Sequence, residues 1–255
     1  AAAAAAAAAG HSTGSVLGPP FTIPSVPQIA MPPLDPDQRS TIDKTSGYCA
    51  RNGKKFEDMV RDREGSNPKF SFLHDGMEGN GYFRWRVWSQ LRHGMTDHDM
   101  DQLLAQTFPL PSEDAQAELH RLVESLSGSK ESIRALRSWI MSNETCIDWI
   151  CMQLHARVAA LDNFAARLHV IYVVNDVLHT CLKRRGESVH AVDTTSARMG
   201  PYMIRLLVMP YQQETDPENR AKLAKVVGLW KERGVFSARD AAAMEMAMVT
   251  GTLPP

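Results

Sequence analysis

One long apolar stretch, residues 164–185, constrains the fold of this 255-residue chain more than any other feature. It contains no glycine or proline, and when it is drawn as a helix, apolar side chains lie on nearly every side. With a rise of about 1.5 Å per residue, such a helix would be about 33 Å long, enough to cross a small domain. A helix that is apolar all round must be buried, so we expect other helices to surround it.

One polar stripe interrupts this apolar surface. Tyr172, Asp176, Thr180 and Lys183 are spaced so that they share one face of the helix. A carboxylate inside an apolar helix is costly unless it meets water, a donor or a ligand, so Asp176 is the first candidate for a functional residue. Two alternatives stay open. The Val/Ile-rich residues 168–174 could form a buried strand, or Asp176 could cap a neighbouring helix.

Composition limits the classes of function. The net charge of −1 excludes nucleic-acid binding by bulk charge, so any such contact needs a local basic patch. The four cysteines form no CxxC pair and match no histidine at metal-site spacing, which disfavours a metal site and favours a reducing compartment. No apolar run reaches the length of a membrane span, and the alanine tract at the start does not resemble a signal peptide. Because the chain lacks an initial methionine, we expect a fragment of a longer protein.

Changes in composition along the chain predict five segments. Residues 1–33 are of low complexity and are predicted to be disordered. Residues 34–92 form a small module of three short helices, and residues 93–111 a linker. Within the linker, Asp97, His98, Asp99 and Asp101 indicate the acidic start of a helix capped by Thr96 rather than a metal site. Residues 112–243 have helical patterns throughout and predict an all-α domain, and residues 244–255 form a tail.

Three motifs in the first module resemble a known family. They are Ile42-Asp-Lys with Ala50-Arg-Asn-Gly-Lys-Lys-Phe-Glu57, Asn67-Pro-Lys-Phe-Ser-Phe-Leu73 and Tyr82-Phe-Arg84. Their order and spacing resemble a SURP module, which implies that an apolar groove binds an amphipathic helix of a splicing factor. The candidate groove residues are Tyr48, Phe56, Met59 and Phe70. The alternative is that Phe56 and Phe70 are ordinary core residues.

The second domain resembles a CID, the domain that reads the C-terminal repeats of RNA polymerase II. The resemblance rests on Leu168-His-Val-Ile-Tyr-Val-Val-Asn-Asp-Val-Leu178, on Ser138-Trp139 before it and on Leu229-Trp-Lys-Glu-Arg-Gly-Val-Phe236 after it. It implies an all-α fold, with the small SURP module followed by a right-handed multi-helix CID superhelix. The tandem order is most similar to the calcium homeostasis endoplasmic reticulum protein family. That family implies a mainly nuclear splicing factor associated with the U2 particle.

The CID resemblance also implies roles for particular residues. Asp176 would accept a hydrogen bond from the tyrosine hydroxyl of the repeat, and Tyr172 would line the same groove. Lys183 and Lys225 stand where basic residues contact phosphoserine, although lysine cannot form the bidentate fork of arginine. In this family, arginine is often found at the position of Lys183, and asparagine is common at the position of Thr180 in the tightest binders. These two differences therefore predict weak binding. The complete candidate set is Tyr172, Asp176, Thr180, Lys183, Lys225, Ser127, Ser129 and Lys130.

The resulting hypothesis is a non-enzymatic adaptor that binds the polymerase repeats through its CID and a splicing-factor helix through its SURP module. The alternative is an RNA-binding protein that uses basic residues of the second domain on phosphates. Its candidates are Arg184, Arg185, Arg220 and Lys222, unless the first two are only a solvated helix end. The nine scattered histidines have no nucleophile or carboxylate at an interpretable spacing, which disfavours an enzyme. No cofactor, metal or membrane contact is implied, and His169 is predicted to be a core residue.

Overall fold

The structure, a computed structural model, describes residues 29–185 and 193–252. Within these residues the chain is all-α, which confirms the predicted fold class. Two short 3₁₀ helices, Pro68–Leu73 and Glu144–Cys146, interrupt the α-helices. The α-helices in chain order are α1 (Pro36–Asn52), α2 (Lys54–Glu64), α3 (Asn80–His93), α4 (Asp97–Thr107), α5 (Glu113–Glu124), α6 (Lys130–Ser142), α7 (Ile147–Ala160), α8 (Phe164–Arg185), α9 (Thr194–Gln213), α10 (Pro217–Glu232) and α11 (Ala238–Thr250).

The first core is formed by the segments of the predicted SURP module together with α4. Helices α1 and α3 pack against each other, and the first 3₁₀ helix lies against both. Burial of apolar side chains drives the assembly of these five short helical elements. The buried residues are Ile42, Cys49, Phe72, Leu73, Tyr82, Phe83, Trp85, Met100 and Leu104.

A buried arginine attaches α4 to this core. The side chain of Arg86 is 1% exposed and lies 3.1 Å from a carboxylate oxygen of Asp43 on α1. It donates a hydrogen bond of 3.0 Å to the Tyr82 hydroxyl and pairs with Asp97 at the start of α4. A buried guanidinium needs such partners, because an unpaired charge inside a protein is costly. The acidic start of α4 is therefore explained by Arg86, together with a capping box between Thr96 and Asp99.

The second core surrounds α8. This arrangement was expected because apolar side chains lie on nearly every side of that helix. Nine of its residues are buried, and the alternative of a strand at residues 168–174 is wrong, since the whole stretch is helical. Helices α6, α9, α7 and α10 all contact α8. The buried residues on α8 are Arg167, Leu168, Val170, Ile171, Val173, Val174, Val177, Leu178 and Cys181.

Two polar contacts fix α8 against its neighbours. The indole N–H of the fully buried Trp230 on α10 donates a hydrogen bond of 3.0 Å to the side-chain oxygen of Asn175. Near the start of the helix, the buried guanidinium of Arg167 donates to the backbone oxygen of Leu161 at 2.8 Å. Each buried donor thus meets an acceptor, which removes the penalty of taking it out of water.

Packing suggests wider domains than the sequence segments. Met100 and Leu104, within the predicted linker, are buried in the first core, and Met244 and Met248, within the predicted tail, are buried in the second. Ile29, which belongs to the predicted disordered segment, also packs against the first core. Residues 1–28 and 253–255, for which disorder and a tail were predicted, lie outside the described ranges. We propose that the first module extends through α4 and the second through α11.

All four cysteines lie within the described residues, where they are buried and free. Burial raises the pKa of the Cys49 thiol to about 11 and that of Cys181 to about 12. At neutral pH these thiols are protonated, unreactive core side chains. None of the described helices combines the length and the apolar character that crossing a membrane requires.

We expect Trp230→Phe to lower the free energy of unfolding by about 2–3 kcal/mol, because it removes the hydrogen bond to Asn175 and leaves a small cavity beside α8. Chemical denaturation followed by circular dichroism measures the change. Trp139→Phe is the matched control, because Trp139 packs against the same core but is only partly buried. Equal losses in the two variants would show that the bond to Asn175 contributes nothing.

Candidate functional site

The polar stripe predicted on α8 lies along a partly exposed face of that helix. Tyr172 is half-buried against the second core, and the side chain of Asp176 is 40% exposed. The Thr180 hydroxyl donates a hydrogen bond of 2.8 Å to the backbone oxygen of Asp176, so its proton is used within the helix. Lys183 is exposed at the end of the stripe. Asp176 makes no cap on a neighbouring helix in the described residues, so the capping alternative is not supported.

The partner of Asp176 is an arginine that the sequence analysis missed. Nη1 of Arg137, on α6, lies 3.5 Å from a carboxylate oxygen of Asp176, and the Arg137 side chain is 28% exposed. A single contact at this distance in partial solvent is a weak ion pair. Both groups therefore retain donors and acceptors for a ligand. The sequence signal was available: Lys130, Arg134 and Arg137 are spaced four and three residues apart, so they share one face of α6.

The turn between α5 and α6 lies against the first half of α8. Ser129 caps α6 by accepting the backbone N–H of Ser132, and the Ser127 hydroxyl lies 3.3 Å from that of Ser129. A Cβ added to Gly128 would lie 2.8 Å from Nε2 of His169, so any larger residue there would require the His169 side chain to shift. His169 is therefore half-buried against the turn rather than inside the core. The turn, Tyr172 and Asp176 lie on one side of α8.

The Arg184 guanidinium is engaged in hydrogen bonds with carboxylates of this chain. Its Nη1 donates to both carboxylate oxygens of Glu144, at 3.0 and 2.8 Å, and its Nε donates to Asp193 at 2.8 Å. Burial works to raise the pKa of Asp193, but bonds from the Ser196 N–H and from Arg184 outweigh it and hold that pKa below its usual range. The bonds join the end of α8 to the start of α9. They occupy most of the guanidinium that was predicted to contact phosphate.

The other three predicted phosphate contacts also have partners within the chain. Arg185 donates to the backbone oxygen of Gly234 at 2.9 Å, and Lys222 to Asn219 at 2.8 Å. Arg220 donates to the backbone oxygen of Tyr211 at 3.2 Å. Arg220 is at the start of α10, whereas Gly234 follows its end, so Arg185 and Arg220 are separated by about the 20 Å length of that helix. These four residues do not form one basic patch. Lys225 is exposed between them on α10.

The candidate SURP residues form an exposed apolar patch across α1 and α2. Tyr48 on α1 is 53% exposed and Met59 on α2 is 51% exposed, high values for large apolar side chains. The rings of Tyr48 and Phe56 are 6.2 Å apart, which joins the two helices at the surface. Phe70 packs beside the buried Phe72 at 6.0 Å and is itself only partly buried. We refer to Tyr48, Phe56 and Met59 as the SURP patch.

A separate cavity of about 850 Å³ includes none of the predicted site residues. It is lined by residues 29–35, by the loop before α3 and by side chains of α7 and α9. Its half-buried His155 has a pKa lowered by burial. In the described residues no group of three or more histidine, cysteine, aspartate or glutamate side chains could hold a metal ion.

Two family models match the chain, one in each of the two predicted domains, and the first match extends into the predicted linker. The Surp module matches residues 33–99, and the CID domain matches residues 117–244. These matches agree with the resemblances drawn from the motifs. They place the polar stripe, Arg137 and the α5–α6 turn within the CID domain, and the SURP patch within the Surp module.

Relatives with known names match the two regions together or the first alone. The mouse and human calcium homeostasis endoplasmic reticulum proteins are 22% identical over 82% of this chain, and the matches cover 29% and 30% of their own lengths. Human splicing factor 3A subunit 1 is 38% identical over 28% of this chain and 9% of its own length. The fission yeast pre-mRNA-splicing factor sap114 is 39% identical over 28% of this chain and 14% of its own length.

The chain thus spans less than a third of the length of the relatives that match both regions. No solved structure matches it. The CID model covers half of the chain, and the Surp model accounts for most of the first core. The chain therefore belongs to the CID-domain family and carries a Surp module ahead of its CID domain.

Proposed function

We propose that this chain is a non-enzymatic adaptor in pre-mRNA splicing. In this proposal the CID domain binds the C-terminal repeats of RNA polymerase II, and the Surp module binds a helix of a splicing factor. Together they would couple transcription to splicing in the nucleus. The support is the domain pair itself, together with relatives whose names are splicing factors. By the same resemblance we propose proteins of the U2 particle as partners.

The observation that carries the CID part of the proposal is the loose pair of Arg137 and Asp176 beside Tyr172. The carboxylate is partly exposed and lies 3.5 Å from Arg137, so it can accept a further hydrogen bond. A tyrosine hydroxyl is a suitable donor, and its bond to a carboxylate is charge-assisted. Tyr172 would contact the ring of that tyrosine. The Ser127–Ser129 turn would hold the peptide backbone.

Basic residues of the CID domain would bind phosphate on the peptide. Arg137 can rotate from Asp176 to a phosphate and bind it bidentately, whereas Lys183 and Lys225 act as point charges. Lys130 and Arg134 continue the row of cations along α6. Thr180, whose hydroxyl proton is already donated to the helix backbone, would contribute only as an acceptor. This set supports weak binding that phosphorylation strengthens.

The RNA-binding alternative has less support from the geometry. Its arginines donate to Glu144, Asp193, Gly234 and Tyr211, and they lie at opposite ends of α10. An RNA interface would instead require several cations free to replace counterions on one surface. We retain RNA binding as an outcome that the following experiment can detect.

We expect Asp176→Ala to weaken binding of repeat peptides by about 10- to 100-fold, because it removes a charge-assisted hydrogen bond. NMR shift mapping on the full chain would follow unphosphorylated peptides and peptides phosphorylated at each serine. Shifts should centre on Tyr172 and Asp176. Asp162→Ala, at an exposed position just before α8, is the matched control and should bind as the unaltered chain does. Absence of shifts with every peptide, together with RNA binding that falls steeply with salt, would contradict the proposal.

A second variant separates recognition of phosphate from recognition of tyrosine. We expect Arg137→Gln to weaken binding of serine-phosphorylated peptides about 5- to 30-fold while changing unphosphorylated peptides little, since the lost group is the bidentate cation. Fluorescence anisotropy at two salt concentrations measures the ratio. Arg121→Gln, an exposed arginine on α5, is the control for a change of net charge. An unchanged preference for phosphorylated peptides in Arg137→Gln would exclude Arg137 as the phosphate ligand.

A further inference from the structure

The charge around the SURP patch distinguishes between classes of partner helix. This step rests on the proposed function, namely that the patch of Tyr48, Phe56 and Met59 binds a helix. An apolar patch alone would accept any helix with leucine-type anchors on one face. The charged residues at its edge therefore decide which helices bind.

Three cations surround the patch. Lys44 is one helical turn before Tyr48 on α1, and Lys55 is one turn before Met59 on α2, so each shares a face with a patch residue. The guanidinium of Arg51 lies over the Tyr48 ring, 5.0 Å from its centre. All three side chains are exposed.

Acidic groups near the patch are already paired with other cations. Glu57 is buried and accepts hydrogen bonds from Arg61 at 2.6 Å and from Arg84 at 3.1 Å. Asp58 pairs with Lys54 and, at 3.0 Å, with Arg61. By contrast, within the described ranges Lys44, Arg51 and Lys55 have no carboxylate within 4 Å. Asp62, one turn beyond Met59, is the exposed acid on that side of α2. The uncompensated charge around the patch is thus mainly positive.

We infer that the SURP patch binds an amphipathic helix whose polar residues next to the apolar anchors are acidic. Such a helix would place its anchors over Tyr48, Phe56 and Met59 and its carboxylates near Lys44, Arg51 and Lys55. Arg51 is already held over an aromatic ring, so its planar donors meet a carboxylate with little further loss of freedom. A basic helix would bring like charges together, which costs affinity and selects against it.

The test uses two synthetic helical peptides with the same leucines at i, i+3, i+4 and i+7, one with glutamates and one with lysines at the flanking positions. Anisotropy titrations with the full chain should give at least about tenfold tighter binding of the glutamate peptide, with a preference that shrinks as salt rises. The triple variant Lys44→Glu, Arg51→Glu and Lys55→Glu should reverse the preference. Arg121→Glu, Lys231→Glu and Arg239→Glu, three exposed cations of the second domain, form the control of equal charge change.

Tyr48→Ala tests helix docking at the SURP patch separately from the preference for an acidic helix. If both peptides bind equally, or the lysine peptide binds more tightly, and Tyr48→Ala abolishes that binding, the patch is a helix site but the inferred acidic partner is wrong. If neither peptide binds, or Tyr48→Ala leaves binding unchanged, helix docking at this patch is itself overturned. The result we expect is tight binding of the glutamate peptide that both Tyr48→Ala and the triple charge reversal remove.

Discussion

Burial of α8 on nearly all sides is the constraint on which the second domain depends. Nine of its residues are buried, and four other helices pack against it. A helix so enclosed can carry polar groups only where a partner or solvent reaches them. Asn175 is reached by the indole of Trp230, and Asp176 by Arg137 and solvent. The same packing that buries the helix leaves Tyr172 and Asp176 on a partly exposed face.

The charged pairs differ in how closely they are bonded: some join elements of the fold, and one is loose and partly exposed. Arg86 and Arg184 each make several close bonds to carboxylates, and these bonds attach α4 to the first core and join α8 to α9. Removing a carboxylate partner of the buried Arg86 would leave an unpaired charge inside the first core, which is strongly destabilising. The pair of Arg137 and Asp176 is looser and partly exposed, which is the property that a ligand-binding pair needs. The three cations around the SURP patch go further, since they lack acidic partners in the described part of the chain.

Periodicity and capping predicted much of this from sequence. The buried α8, its polar stripe and the Thr96-capped acidic start of α4 all followed from local spacing. Arg137 was missed because its partner is on another helix, and a pair between helices leaves no periodic signal in either one. For the same reason Arg184 was assigned to phosphate, although Glu144 and Asp193 reach it only through the fold. Met244 and Met248 looked like a tail because a short Ala/Met segment shows its burial only once its neighbours are in place.

We propose that one chain holds two peptides at once. Two-colour analytical ultracentrifugation of the full chain would test it directly, with a labelled serine-phosphorylated repeat peptide and a labelled helical peptide of the acidic class. We expect both labels to sediment together with the chain. Asp176→Ala should release only the repeat peptide, and Tyr48→Ala should release only the helical one. Competition between the two peptides for the chain, or loss of both in either variant, would contradict an adaptor with two independent sites.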